Sequence, residues 1–412
     1  MLKNKEVLII GTVWPEPNSS AAGTRMMQLI EFFKSKEAHI TFACSASNLE
    51  FSTDLTSLGI DTKQISINDS SFNEFVRKLN PEFVLFDRFM TEEQFGWRVA
   101  EECPNAIRIL DSEDLHFLRL ARHKSVKDGN KCTREDLYSE HSKREIASIY
   151  RCDVTLVISK FEYELLINVF KIDPDILLYL PFMYEEIDLK FIDSVPTFSD
   201  RNHFVTIGNF LHKPNWDAVL YLKSTVWPLI RKELPTSEMH VYGAYTSPKV
   251  EQLHSEEQGF LIKGRAKSSK EVISRARLLL APIRFGAGLK GKLVEAMQYG
   301  TPSITSEVGA EGFKYENQWN GAIANSPIEF ANHAIQHYRD EELWEKKQEI
   351  GFSIFNSLFD VKEHSVRLES KLVETHSKLK SHRNKNFIGS MLLHHTMNSY
   401  KYMSKWIEAK NA

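Results

Sequence analysis

Residues 281 to 312 read APIRFGAGLKGKLVEAMQYGTPSITSEVGAEG, and the order of residue types in this stretch decides the fold. Leu289, Leu293, Ala296 and Met297 recur at i, i+4, i+7 and i+8, the apolar stripe of a helix. Gly300 ends the helix and Pro302 follows as a stop. Leu278 to Ala281 before the loop and Ser303 to Ser306 after the helix read as strands, so the order is strand, glycine loop, helix, strand. The charges run against expectation. A helix N-terminus carries partial positive charge and favours acids, yet Lys290 and Lys292 stand in the first turn. An anion there removes the conflict, because backbone N–H groups, the helix dipole and flanking cations all favour phosphate. The stretch predicts a phosphate site.

Two better-known patterns nearly fit. Gly286 to Gly291 satisfies G-x-G-x-x-G, with the acid Glu307 ending the next strand as a dinucleotide fingerprint requires. That fingerprint occupies a tight turn directly after the strand, whereas Pro282, Ile283, Arg284 and Phe285 intervene here. Gly286 to Lys292 also fits G-x-x-x-x-G-K, but Leu293 stands where a P-loop needs a hydroxyl for Mg²⁺.

Working outward, 412 residues are too many for one ordinary core and suggest two main domains. Apolar residues at 42% and charged residues at 26% describe a globular protein with material for sizeable cores. A net charge of −3 argues against nucleic-acid binding through bulk electrostatics. Cys44, Cys103, Cys132 and Cys152 form no C-x-x-C pair, which points to a reducing cytoplasm and no metal site. The N-terminal apolar run is too short for a secretory signal, and no stretch approaches a spanning helix, so membrane contact can only be peripheral.

The first half alternates apolar strands with amphipathic helices, the pattern of a parallel sheet covered on both faces. Strands are expected at Val7 to Ile10, His39 to Cys44, Phe83 to Phe86, Ile107 to Leu110 and Val154 to Ile158, with a long loop from Gly11 to Thr24. The strand ends deliver Asp87, Arg88, Asp111 and Ser159, where ligands of open α/β sheets bind; Ser159 also reads as a helix N-cap. Asp111 to Arg119 is dense in chemistry: Glu113 and Asp114 suit a helix start, and His116 as neutral imidazole could donate to a sugar hydroxyl. Residues 181 to 203 lack periodicity and read as a linker. A second alternating unit follows, with strands at Phe204 to Ile207, Met239 to Tyr242 and Gly259 to Ile262, and Gly208 to Asn215 resembles an anion nest. Asp173-Pro-Asp175 reads as a turn rather than a metal site. Near the end, Leu393, Met397, Tyr400, Met403 and Ile407 form a helical stripe expected to dock on a domain.

The segments Phe204-Val-Thr-Ile-Gly-Asn-Phe, Lys213-Pro-Asn-Trp-Asp217, Ala281 through Ala296 and Gly300-Thr-Pro302 resemble glycosyltransferases of the GT-B fold, the retaining group called glycosyltransferase family 4 or glycosyl transferases group 1. The likeness is strong in the second half and weaker in the first, where Leu110 to Arg119 and Arg151 to Ser159 are similar to acceptor-domain segments. It implies an α/β protein of two facing doubly wound, Rossmann-like domains: an acceptor-side domain at residues 1–185, a donor-binding domain at 186–360, and a C-terminal helical extension at 361–412.

Carried over by position, the resemblance assigns catalysis to His116, Arg284 and Lys290. Donor binding falls to Gly208, Asn209, Lys213, Gly286, Ala287, Gly288, Leu289, Lys292 and Glu295, with Glu295 on the ribose hydroxyls and Arg284 and Lys290 on the diphosphate. Gly23, Thr24, Arg25, Asp111, Glu113 and Asp114 line the acceptor side. No metal and no cofactor beyond the UDP- or GDP-sugar substrate are implied; the other partner is a glycan or lipid-linked acceptor. One departure stands out. The family's first glutamate falls eight positions before Glu295, at Ala287, and backbone N–H groups of Gly286 to Gly288 are the expected substitute. A nucleotide-sugar epimerase, an inactive nucleotide-sugar-binding paralogue and an NAD-dependent dehydrogenase are the competing classes.

Overall fold

A computed structural model of the chain describes residues 2–47, 51–313 and 318–411, the side chains of residues 395–397 and 411 excepted. Met397 of the C-terminal stripe therefore lies outside the described side chains.

Seven strands form the first sheet: β1 (Glu6–Gly11), β2 (His39–Cys44), β3 (Asp61–Gln64), β4 (Phe83–Asp87), β5 (Ile107–Asp111), β6 (Val154–Val157) and β7 (Leu177–Tyr179). Six form the second: β8 (Asn202–Ile207), β9 (Met239–Tyr242), β10 (Phe260–Gly264), β11 (Ala276–Ala281), β12 (Ser303–Thr305) and β13 (Gly321–Ile323). The orders are β3-β2-β1-β4-β5-β6-β7 and β10-β9-β8-β11-β12-β13, with parallel pairing throughout. Alternate residues of one strand face opposite sides, so Val7 and Ile9 enter one apolar core while Leu8 and Ile10 enter another. The second sheet is likewise covered on both faces, with Leu279 and Ala281 on one side and Leu278 and Leu280 on the other.

Three strands carry no readable signal. All four residues of β3 are exposed, and β7 and β13 have three residues each, so only hydrogen bonding to a neighbour makes them strands. The loop after β1 ends earlier than expected, because the Ser20 side chain accepts the Gly23 N–H and starts the helix Ala21–Ser35. Ser159 stands at the N-cap of Lys160–Asn168 but makes no capping bond. Asp173 does accept from Asp175 N in a single turn of helix. Glu307, expected at a strand end, opens the short helix Glu307–Ala310.

The chain crosses between the sheets twice, and the crossings touch: Tyr184 N donates to Phe359 O at 2.7 Å and Val361 N to Tyr184 O at 2.9 Å. The helix Glu341–Leu358 buries Trp344 against the second sheet, whereas Val361–Ser377 returns Leu368 and Leu372 to the core of the first. In each sheet the strand order reverses beside the first strand, between β1 and β4 and between β8 and β11. Loops following those strands open into a crevice at their C-terminal ends. The predicted phosphate loop follows β11.

Candidate active site

Lys290 is the N-cap residue of the helix Gly291–Gln298, which has no side-chain cap and no acid in its first turn. Its ammonium is almost completely buried and donates to the Gly288 carbonyl at 2.8 Å. Burial pushes Lys290 down to about 8, opposed by the negative charges of Glu311, Glu162 and Asp114. Lys292, lowered to about 8 by burial against the pull of Glu295, donates to Asn215 Oδ1 at 3.0 Å. A second helix start meets this one: a Cβ on Gly291 would lie 2.6 Å from the Ala21 Cβ, so the N-termini of Gly291–Gln298 and Ala21–Ser35 abut across the domain boundary. Neither has an acid in its first turn. Two positive dipole ends and two buried lysines concentrate positive potential at one point.

The facing wall is the loop after β5. Asp114 accepts from Arg119 Nε at 2.7 Å and lies 3.3 Å from His116 Nε2, and the Arg119 guanidinium foremost holds its carboxyl below the usual range despite burial. Burial drives His116 down to about 4, so the imidazole is neutral at pH 7. Its helix, His116–Lys127, starts on Glu145, which accepts the His116 and Phe117 N–H groups at 3.0 Å each. Glu113 sits at φ 59° with one carboxylate oxygen buried and unpartnered, and burial followed by the charge of Asp111 raises it well above the carboxylate range. That left-handed backbone is strain held in place by its surroundings.

The walls are joined through Gly288. It has φ 64°, and a Cβ would fall 2.9 Å from Asp114 Cβ, so conformation and space both demand glycine. Its N–H donates to Glu162 Oε1 at 2.6 Å, and the same oxygen accepts from Leu115 N at 3.2 Å. Arg122 of the first domain grips Glu311 at 2.7 Å through both terminal nitrogens and the Gly286 carbonyl at 2.9 Å. At the other end of the crevice Tyr245 Oη donates to the Glu16 carboxylate at 2.8 to 2.9 Å.

Residues 201–340, which hold β8 to β13, match the family model described as Glycosyl transferases group 1. Over that stretch, about a third of the chain, it is similar to group 1 glycosyl transferases. A Klebsiella pneumoniae relative described as an uncharacterized 44.6 kDa protein in the cps region is 24% identical over 229 residues, covering 54% of this chain and 55% of that protein. The chain thus spans little more than half the length of the curated relative it matches. Among solved structures, sucrose-phosphate synthase from Thermosynechococcus elongatus superposes with a TM-score of 0.67 at 15% identity, covering 91% of this chain and all of that one. HepE of Anabaena in complex with UDP and glucose gives 0.65 at 12%, covering 90% and 100%. The architecture is GT-B.

Within the second domain, Glu295 lies one turn inside the helix and accepts from Ser269 Oγ at 2.5 Å; burial raises its pKa. Gly208 is pressed against Asn215, whose amide donates to Asn209 O at 2.9 Å while its oxygen meets Lys292, so the β8 loop and the β11 loop form one unit. Lys213, the first residue of the helix Lys213–Tyr221, is exposed.

Other expected site residues take these places. Arg284 pairs with Asp217 at 2.5 to 2.9 Å and stacks over Tyr221, where it lines a pocket of about 230 Å³ with Ser306 and Asn325. The side chains of Leu289 and Ala287 are buried apolar contacts: Leu289 packs in the second domain, and Ala287 joins the first domain's core. A glutamate at 287 would bring a charge into that core. Arg25 and Asp111 do not line the crevice. They are 1% and 0% exposed and pair with each other, Nε to Oδ1 at 2.8 Å, with Arg25 also bonded to Leu180 O at 2.8 Å. Gly23 and Thr24 shape the loop after β1: a Cβ on Gly23 would meet Glu16 backbone at 2.4 Å, and Thr24 Oγ1 donates to Pro17 O at 3.1 Å.

Sequence reasoning missed Arg122, Glu162, Ser269 and His212. His212 is solvent-accessible yet walled by both domains; burial lowers it to about 4, with Asp114 and Arg119 the nearest charges. His212 is the N-cap of Lys213–Tyr221 and Ser269 opens the helix Ser269–Ser274, so both could have been flagged by position. Nothing in the local sequence marks Arg122 or Glu162.

Proposed function

We propose that the protein transfers a sugar from a UDP- or GDP-sugar to a hydroxyl of a glycan or lipid-linked acceptor, with retention of anomeric configuration. One observation carries the reading: Lys290, Lys292 and two helix N-termini converge opposite His116 in a crevice between two doubly wound domains. The group 1 match and the superposition on a UDP-bound structure support it.

Bond breaking leaves an oxocarbenium-like sugar and a departing diphosphate, and fixed positive charge where the phosphate charge develops stabilises that state. Lys290 and the helix dipoles supply it. Glu295 with Ser269 is placed for the ribose hydroxyls, and neutral His116, held by Asp114, for a sugar hydroxyl. In support of retention, the acids of the facing wall are poorly placed to serve as a base: Asp114 serves Arg119 and His116, and burial beside Asp111 raises the pKa of Glu113 well above the carboxylate range. That leaves the departing phosphate oxygen to take the acceptor proton on the same face.

A thermal-shift panel of UDP-, GDP- and ADP-sugars tests the donor, since a ligand at about 100 times its Kd adds about 2.7 kcal/mol. NMR of the glycoside product tests the stereochemistry, and an inverted anomer refutes retention. Donor turnover to an epimer without acceptor would favour the epimerase, and donor binding without chemistry the inactive paralogue. Glu295→Gln keeps the shape but removes the charge that accepts two ribose hydroxyls; donor affinity is expected to fall about tenfold or more, whereas affinity for inorganic pyrophosphate stays unchanged. Equal donor affinity in calorimetry would remove Glu295 from the site.

The lysines also set a pH dependence. Both must be protonated to hold a diphosphate, and both are lowered to about 8. Donor affinity is expected to be complete below about pH 7 and to decline as pH rises through about 8, by up to about tenfold per pH unit for each lysine. Calorimetric Kd values that stay flat to pH 9.5, a value taken from the ordinary lysine range of roughly 10.4, would exclude this linkage.

A further inference from the structure

The helix Phe387–Asn411 has two apolar faces, and only one is covered. Its inner face docks on the first domain: Tyr400 Oη donates to Glu93 at 3.0 Å, buried Ser404 accepts from Arg98 at 2.8 Å, and Lys401 and Glu408 pair with Glu101 and Arg98. The docking expected from the sequence stripe is thus met by Tyr400, with Leu393 and Ile407 half-buried, but Met403 points outward and is 54% exposed. The outer face presents Phe387, Ile388, Met391, Tyr402, Met403 and Trp406, each between 49% and 68% exposed. At about 100° per residue these six fall within roughly 160° of arc, as two apolar clusters, one in each end of the helix, that together reach over about 29 Å. Exposed apolar stripes of this extent mark interaction surfaces.

We infer that this outer face lies on an anionic membrane surface. The charges choose the occupant. Lys405 and Lys410 stand at the two edges of the stripe, exposed and with no carboxylate within ion-pair distance among the described residues. The helix has one acid, Glu408, and Arg98 already holds it. The segment leading in, residues 378–386, has no acid; its Lys378, Arg383 and Lys385 pair with Glu374, Asp153 and Asp175, and exposed Lys380 adds a further positive charge. A second copy meeting this face would oppose lysine with lysine, whereas anionic headgroups satisfy both edges while the apolar side chains enter the acyl boundary. Tyr402 and Trp406 are the side chains that favour such an interface, and lysine stems can cover apolar surface with the ammonium in the headgroups. No described helix is long and apolar enough to cross a membrane, so the contact is one of lying on the surface.

The face is separate from the crevice, so its test stands or falls apart from the proposed transfer. The full chain is sedimented with phosphatidylcholine vesicles, with and without phosphatidylglycerol. The expected result is pelleting with the anionic vesicles alone, loss of pelleting at high salt, and at least about tenfold weaker binding in Met391→Ser/Tyr402→Ser/Trp406→Ser and in Lys405→Gln/Lys410→Gln. Melting temperature and donor binding in solution should be unchanged in both variants. Failure to pellet overturns the inference, as does full pelleting of the triple serine variant. Concentration-dependent dimerisation in sedimentation velocity that the triple variant abolishes would reassign the face to self-association.

Discussion

Lys290→Ala is expected to lower kcat/KM for sugar transfer by about 10² to 10³-fold, the scale of removing one fixed charge from a stabilised transition state. The ammonium is buried, stands at the N-cap of the crevice helix, and meets the carbonyl of Gly288 rather than a carboxylate at bonding distance. Its burial cost is therefore unrepaid until an anion arrives, and alanine should leave the melting temperature level or slightly raised. Arg284→Ala serves as the contrast. That guanidinium is 41% exposed and already paired with Asp217, so transfer should stay within about fivefold of the parent, in line with the modest worth of exposed ion pairs. Steady-state kinetics on both variants decide the matter: an Arg284 loss as large as that of Lys290 would place the diphosphate elsewhere.

Asp111→Ala is expected to destabilise the first domain by about 3 to 5 kcal/mol, because Arg25 would remain charged in a fully buried site with its carboxylate gone. The pair ties the helix Ala21–Ser35 to the end of β5, and through Leu180 O to the segment leaving β7. Urea unfolding followed by tryptophan fluorescence should show the loss in the first-domain transition, with each domain treated as its own two-state unit. Arg25→Met combined with Asp111→Leu should recover most of it, since replacing both partners with apolar groups leaves no orphaned charge. Retained stability in Asp111→Ala would return Asp111 to the crevice wall as a ligand-facing acid.

Much of the fold and part of the site were legible before any coordinates. Strands such as His39–Cys44 and Met239–Tyr242 are apolar runs bounded by polar residues, and their identity follows from local pattern. The helix after the glycine loop, with lysines where acids belong, was legible for the same reason: dipole and charge conflict within a few residues of chain. His116 was singled out by its place after a strand and Glu295 by the family resemblance and its place one turn inside the helix. The pairing of Arg284 was not legible, because its partner Asp217 lies on the helix Lys213–Tyr221, 67 residues away. Arg25 and Asp111 were taken for crevice residues because charge at a strand end suggests solvent, and only packing could show that each neutralises the other.

By itself, then, the sequence determined what depends on neighbours along the chain: two runs of alternating strand and helix, the glycine loop, and a helix start that calls for an anion. Tertiary structure alone decided what depends on groups meeting from distant segments. It set the second helix start against Gly291, gave the position opposite Gly288 to Asp114, and brought Arg122 and Glu162 across to the loop. It also sent Ala287 into the first domain's core, where a charged side chain would lose its hydration. The physical reason is range: propensity and dipoles act within a turn or two of helix, whereas burial and pairing act between surfaces that the chain brings together only when folded.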